Sequence, residues 1–102
     1  MKVITRYFPV KAVFKLPLPK DTQILQVGIE DKQPFLHAMH DLDGELESEI
    51  QEREFRAFCS GERIPKDLIK RMKYIGSYSY PDTIRATAKH WHVFEILREE
   101  GL

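Results

Sequence analysis

Apolar and polar positions alternate with period two along most of the chain. That period is the signature of strands with one face turned to a core. Residues 3–8, VITRYF, are β-branched and aromatic, and 12–16, AVFKL, form a second short run ahead of Pro17 and Pro19. A proline cannot donate to a sheet ladder, so this run is expected at a sheet edge or a strand end. In 24–30 Leu25, Val27 and Ile29 alternate with Gln26, Gly28 and Glu30, and 34–40 returns in the same period. The two predict a hairpin turning at 31–33, with Pro34 opening the return strand. Residues 53–59, REFRAFC, put Phe55, Ala57 and Cys59 on one face, and Ser60-Gly61 ends that strand. PKDLIKR, 65–71, predicts a short helix with Pro65 at its first position. Strands follow over 72–80 and 91–97, while 83–90 fits a short helix, a loop or an added hairpin strand equally well. Gly44 disfavours a long helix in 41–52, leaving a loop or one loose turn.

Short strands at regular spacing predict a mainly β fold: one antiparallel meander closing into a small barrel or sandwich, with a single helix near 65–71. A chain of 102 residues is expected to be one domain, 1–102. At that length roughly 60–70% of the unfolded surface is buried, enough to fold without staples.

Composition changes this picture little, but charge changes it locally. Sixteen basic and sixteen acidic side chains cancel, so no long-range field draws the chain to DNA or an anionic membrane. Residues 1–20 are basic, 41–54 hold seven acids against Arg53 alone, and 63–73 turn basic again. The plain reading is solvated loops; the sharper one is a bipolar surface for a partner of matching charge. Cys59 stands alone, which excludes an internal disulfide and points to a reducing compartment. With no apolar signal core and no run near ~18 apolar residues, the expected location is the cytoplasm, with no membrane partner.

Candidate chemistry is sparse. His37 and His40 fall on opposite faces of a strand. His90 and His92 share a face and, with Cys59 or His37, are the nearest approach to a metal or hydrolase site, though no zinc spacing is present. No phosphate loop and no nucleophile elbow occurs. The expectation is therefore no cofactor, no metal and no catalytic residue. Tyr74, Tyr78 and Tyr80 read as one side of a strand preceded by Lys70, Arg71 and Lys73, a mix of aromatics and cations that suits a nucleotide or single-stranded nucleic acid.

Four blocks in order, ILQVGIEDKQPFLHAMHD, REFRAFCSGERIP, MKYIGSY and WHVFEIL, together resemble a family of small proteins encoded by tailed bacteriophages and prophages. The matching marks are Ile24 to Asp41, Phe55 to Pro65, Tyr74 to Gly76 and Val93 to Glu95. The resemblance covers the chain from about residue 12 onward. The stretch Pro81 to His90 and the acidic segment are longer than the family pattern. No catalytic residue carries over, since the family has no established activity. The resemblance implies a non-catalytic modulator in the host cytoplasm, occupying the surface of a host or defence protein through 41–52 and 81–90. Trp91, Tyr80, Tyr78, Lys70, Arg71 and Lys73 are then the partner-binding candidates. A nucleotide or single-strand binder is the alternative, and a metal or cysteine hydrolase the third. The edge strand at Val3 to Phe8 also makes a homodimer plausible.

Overall fold

The computed structural model of the chain describes residues 1–8, 10–41, 49–82 and 87–98, with the side chains of 82 and 87 excepted. Seven strands and one helix follow in the order β1 (Lys2–Tyr7), β2 (Val13–Pro19), β3 (Gln23–Glu30), β4 (Gln33–Asp41), β5 (Ile50–Cys59), α1 (Lys66–Ile69), β6 (Met72–Asp82) and β7 (Thr87–Ile96). They form two antiparallel sheets, β1-β4-β3 and β2-β5-β7-β6. The expected mainly β class with one short helix holds, and of barrel or sandwich the sandwich is the one adopted. Pairing skips neighbours, however: β1 joins β4, and β2 joins β5.

The β3–β4 hairpin turns on Asp31 and Lys32, both left-handed at φ 50 and 64. Such a pair closes a two-residue turn whose twist matches its strands. The turn is one residue shorter than expected, and Gln33 already pairs with Glu30. β2 runs through Pro17 and Pro19 instead of stopping there, because it is an edge strand and an edge tolerates missing donors. Pro65 is the cap of α1, not its first residue. Of the stretch left open in sequence, 87–90 is strand, while 83–86 lies outside the described residues, as does 42–48 of the acidic segment.

β5 and β6 run parallel with β7 between them. The chain leaves β5 at Cys59, opposite Trp91, and re-enters at Met72, opposite Ile96. The connection 60–71 therefore runs back along the second half of β7, anchored by the buried Leu68. One core spans both sheets: Val27, Leu36 and Ala38 from the first meet Leu18, Phe55, Ala57 and Val93 from the second. The sheets touch where β3 meets β6. A methyl group on Gly76 would lie 3.0 Å from the Val27 Cβ and 3.3 Å from its backbone nitrogen, so the bare backbone is what allows that approach.

Candidate functional site

A groove of about 920 Å³ lies at the end of the four-stranded sheet. Its floor is an ion pair. Arg53 on β5 donates from Nε and Nη2 to the two carboxylate oxygens of Glu95 on β7, both at 2.6 Å, and from Nη1 to the Thr22 carbonyl at 2.6 Å. Alternation puts both side chains on the core side of the sheet, where they are 15% and 8% exposed. A fork-to-fork pair of this kind satisfies two buried charges at once and leaves the floor neutral.

The rim is not neutral. Lys20 comes from the β2–β3 turn, Lys70 and Arg71 from the end of α1, Lys73 from β6, and Arg98 from beyond β7. None of the five has an ion-pair partner among the described residues. The remaining acid of the lining, Glu52, is taken by Lys15 at 3.5 Å. Arg71 is held by a reciprocal clamp: its Nε donates to the Leu97 carbonyl at 2.9 Å, and the Leu97 amide donates to the Arg71 carbonyl at 2.7 Å. That fixes the base of the guanidinium and leaves its terminal nitrogens for the groove. Ile96 and Leu97 add an apolar wall. A smaller cleft of about 270 Å³ continues from it, sharing Glu52, Arg71, Ile96 and Arg98. Five cations without ion-pair partners among the described residues, gathered in a chain of zero net charge, make a local anion trap.

Of the residues singled out in sequence, Lys70, Arg71 and Lys73 are thus brought together, and the aromatics are not. A register shift between Tyr74 and Gly76 turns the strand over, so the three tyrosines do not share a side. Tyr74 packs edge-on against Phe94, ring centroids 5.6 Å apart, on the face away from the core. Tyr78 packs against the core opposite Trp91. Burial, with lesser contributions from Cys59 and Tyr80, raises its phenol above the ordinary 10.0. Tyr80 stands toward the far end of β6, opposite Lys89, and Trp91 is half-buried against the core. The stacking platform expected next to the cations is therefore not assembled.

His90 and His92 do share a face, with one nitrogen of His90 and both of His92 in hydrogen bonds. Ser79 Oγ lies 2.8 Å from His90 Nδ1. Ser77 Oγ and Ser60 Oγ lie 3.0 Å from Nδ1 and Nε2 of His92, and Tyr74 Oη extends the chain to Ser77 Oγ at 2.6 Å. With both ring nitrogens in hydrogen bonds, His92 would have to give one up to ligate a metal. Cys59 pairs with Trp91 and so faces the other side of the sheet. No three His, Cys, Asp or Glu side chains converge on a metal position among the described residues. His37 and His40 fall on opposite faces, as their spacing requires. His37 takes a hydrogen bond from Arg6 Nε at 3.0 Å and packs on Phe35, while His40 lies 3.4 Å from Thr5 Oγ1.

The sequence reading missed Lys20, Arg98 and the Arg53–Glu95 floor. Lys20 and Arg98 carry no linear signal, because only the sheet register brings them together. Arg53 and Glu95 did carry one: a lone base inside an acidic run, and a lone acid inside the apolar WHVFEIL. No helix among the described residues is long and apolar enough to cross a membrane. No curated protein and no solved structure matches the chain. One family model does, over residues 1–101, nearly the whole length: the chain belongs to the family of a domain of unknown function, DUF7352.

Proposed function

We propose that this protein is a small non-catalytic binding module that holds an acidic segment of another protein in the basic groove, and that it serves a phage or prophage by occupying a host or defence factor in the host cytoplasm. The observation that carries the reading is the meeting of Lys20, Lys70, Arg71, Lys73 and Arg98, none of which has an ion-pair partner among the described residues. Carboxylates on an extended or helical segment satisfy such a rim with charge-assisted hydrogen bonds. Ile96 and Leu97 give an aliphatic neighbour of that segment a place to pack. A polypeptide fits better than a nucleic acid, because no aromatic lines the groove to stack a base. The zero net charge implies that recognition acts at short range and weakens as salt rises.

The test is fluorescence anisotropy with two labelled probes, a short peptide of alternating Glu and Leu and a single-stranded oligothymidylate. The peptide is expected to bind, to weaken with added salt, and to lose at least about tenfold in affinity in the Lys70→Glu/Lys73→Glu variant. Tighter binding of the oligothymidylate, or peptide binding indifferent to the variant, overturns the assignment. Capture from bacterial lysates by the chain but not by the same variant then identifies the partner.

A further inference from the structure

Among the described residues the two sheets present four edge strands, and three of them are protected. β3 and β6 lie against one another, and each carries a register shift, at Ile24/Gln26 and at Tyr74/Gly76. β2 contains Pro17 and Pro19, which offer no donors. β1 has none of these devices. Its six residues pair with β4 in unbroken register, Lys2 with Asp41 through Tyr7 with Leu36. It contains neither proline nor bulge, and Ile4 is 57% exposed at its middle. A straight edge with unpaired backbone groups templates another strand unless something blocks it.

We infer that β1 is the interface of a two-fold homodimer, in which β1 of one protomer adds antiparallel to β1 of its partner and joins the two three-stranded sheets into one of six. The occupant is a second copy because the strand is complementary to itself. With Thr5 on the axis, Val3 lies opposite Tyr7 and Ile4 opposite Arg6. Lys2 falls beside Phe8, which lies just past the end of the strand and whose ring already packs on Arg6 and Phe35. On one face a β-branched side chain meets an aromatic. On the other an exposed aliphatic meets an arginine stem, and an ammonium meets a ring. No like charges face each other, and these are the pairings that favour cross-strand contact. Moving the axis to Ile4 would put Lys2 against Arg6, and moving it to Arg6 would set that residue against itself, so charge disfavours both neighbouring registers. Arg6 is already turned along its own sheet by Glu30 and His37, which leaves its aliphatic stem beside the edge. The molecular dimensions agree: the radius of gyration is 15.1 Å and the extents are 49 × 35 × 15 Å. A compact chain of this length has a radius near ~13 Å, so the protomer is a thin slab suited to extension at an edge.

Sedimentation equilibrium of the full chain tests this with two exposed substitutions at one position. The unaltered chain is expected to sediment at twice the chain mass. Ile4→Lys, which sets a cation against the partner's Arg6 twice over by symmetry, should weaken association by about tenfold or more while the circular-dichroism melt still shows a folded chain. Ile4→Glu should weaken the dimer less than Ile4→Lys, because an acid opposite the partner's Arg6 adds no like-charge repulsion even though that guanidinium is held by Glu30. A monomeric unaltered chain, or an Ile4→Lys variant that dimerises undiminished, overturns the interface. A dimer lost equally in both variants overturns the Thr5 register.

Discussion

At the scale of single residues, the Arg53–Glu95 pair is the place where sequence, stability and function meet. A charged pair at this depth is not in itself a strong source of stability, because desolvation of the two ions offsets most of their attraction. Its role is positional: it ties β5, β7 and the β2–β3 turn together under the five cations. Breaking it from one side strands the other charge. Arg53→Met leaves Glu95 buried without a counter-ion and is expected to cost about 3–5 kcal/mol in a urea titration. The double change Arg53→Met/Glu95→Leu removes both charges and should recover most of that loss. The size of the recovery is the measurement that matters. If the single and double variants were equally unstable, the pair would be contributing packing and not charge compensation. The same experiment bears on the groove. Both substituted residues lie in its floor, and the double variant keeps all five rim cations. Peptide affinity should therefore survive in it if the floor serves only to hold the turn in place.

At the scale of elements, period-two alternation made every strand visible, because half-buried antiparallel strands must alternate. It also placed His37 and His40 correctly on opposite faces, and Cys59 with Phe55 and Ala57. It failed wherever a single residue breaks the period. Tyr74 and Tyr78 differ by four positions and so should share a side, yet the irregularity at Ile75 reverses one of them. A lone glycine in a strand is the ordinary mark of such a bulge or of a close backbone approach, and Gly76 is both. Pairing partners were illegible for a different reason. Alternation says which side chains face the core but not which strand lies alongside, so the β1–β4 and β2–β5 ladders, and with them the groove, could not be read from spacing. Gly76 also supplies an element-scale prediction. Gly76→Ala sets its methyl group against Val27, including the β3 backbone, which cannot rotate away as a side-chain tip could. The two sheets must part by a few tenths of an ångström. The expected loss is about 1–3 kcal/mol, read from the urea midpoint at unchanged slope. An unaltered midpoint would mean that β3 and β6 are not in firm contact.

At the scale of the whole molecule, the question is whether two sheets of three and four strands behave as one folding unit. The three-stranded sheet alone would uncover Val27, Leu36 and Ala38, and the four-stranded sheet alone would uncover Phe55, Ala57 and Val93, since the two sets belong to one cluster spanning both sheets. Neither half retains a core when the other opens, so cooperativity follows from the shared interior. The protein contains its own reporter, because its one tryptophan, Trp91, sits in the four-stranded sheet against that interior. Leu36 is fully buried in the opposite sheet, on β4. Leu36→Ala removes three carbons from the core and should cost about 2–5 kcal/mol, depending on how far the site collapses. The transition followed by Trp91 fluorescence should move by the full amount, and the far-ultraviolet circular-dichroism transition should coincide with it. If instead Trp91 kept its midpoint while the circular dichroism split into two steps, the sheets would be separate units. The groove, which lies at one end of the four-stranded sheet, would then be insensitive to β1 and to any dimer built on it. Coincident curves tie the two together, because a substitution on the dimerising sheet would then change the population of folded groove in direct proportion to its effect on the global equilibrium.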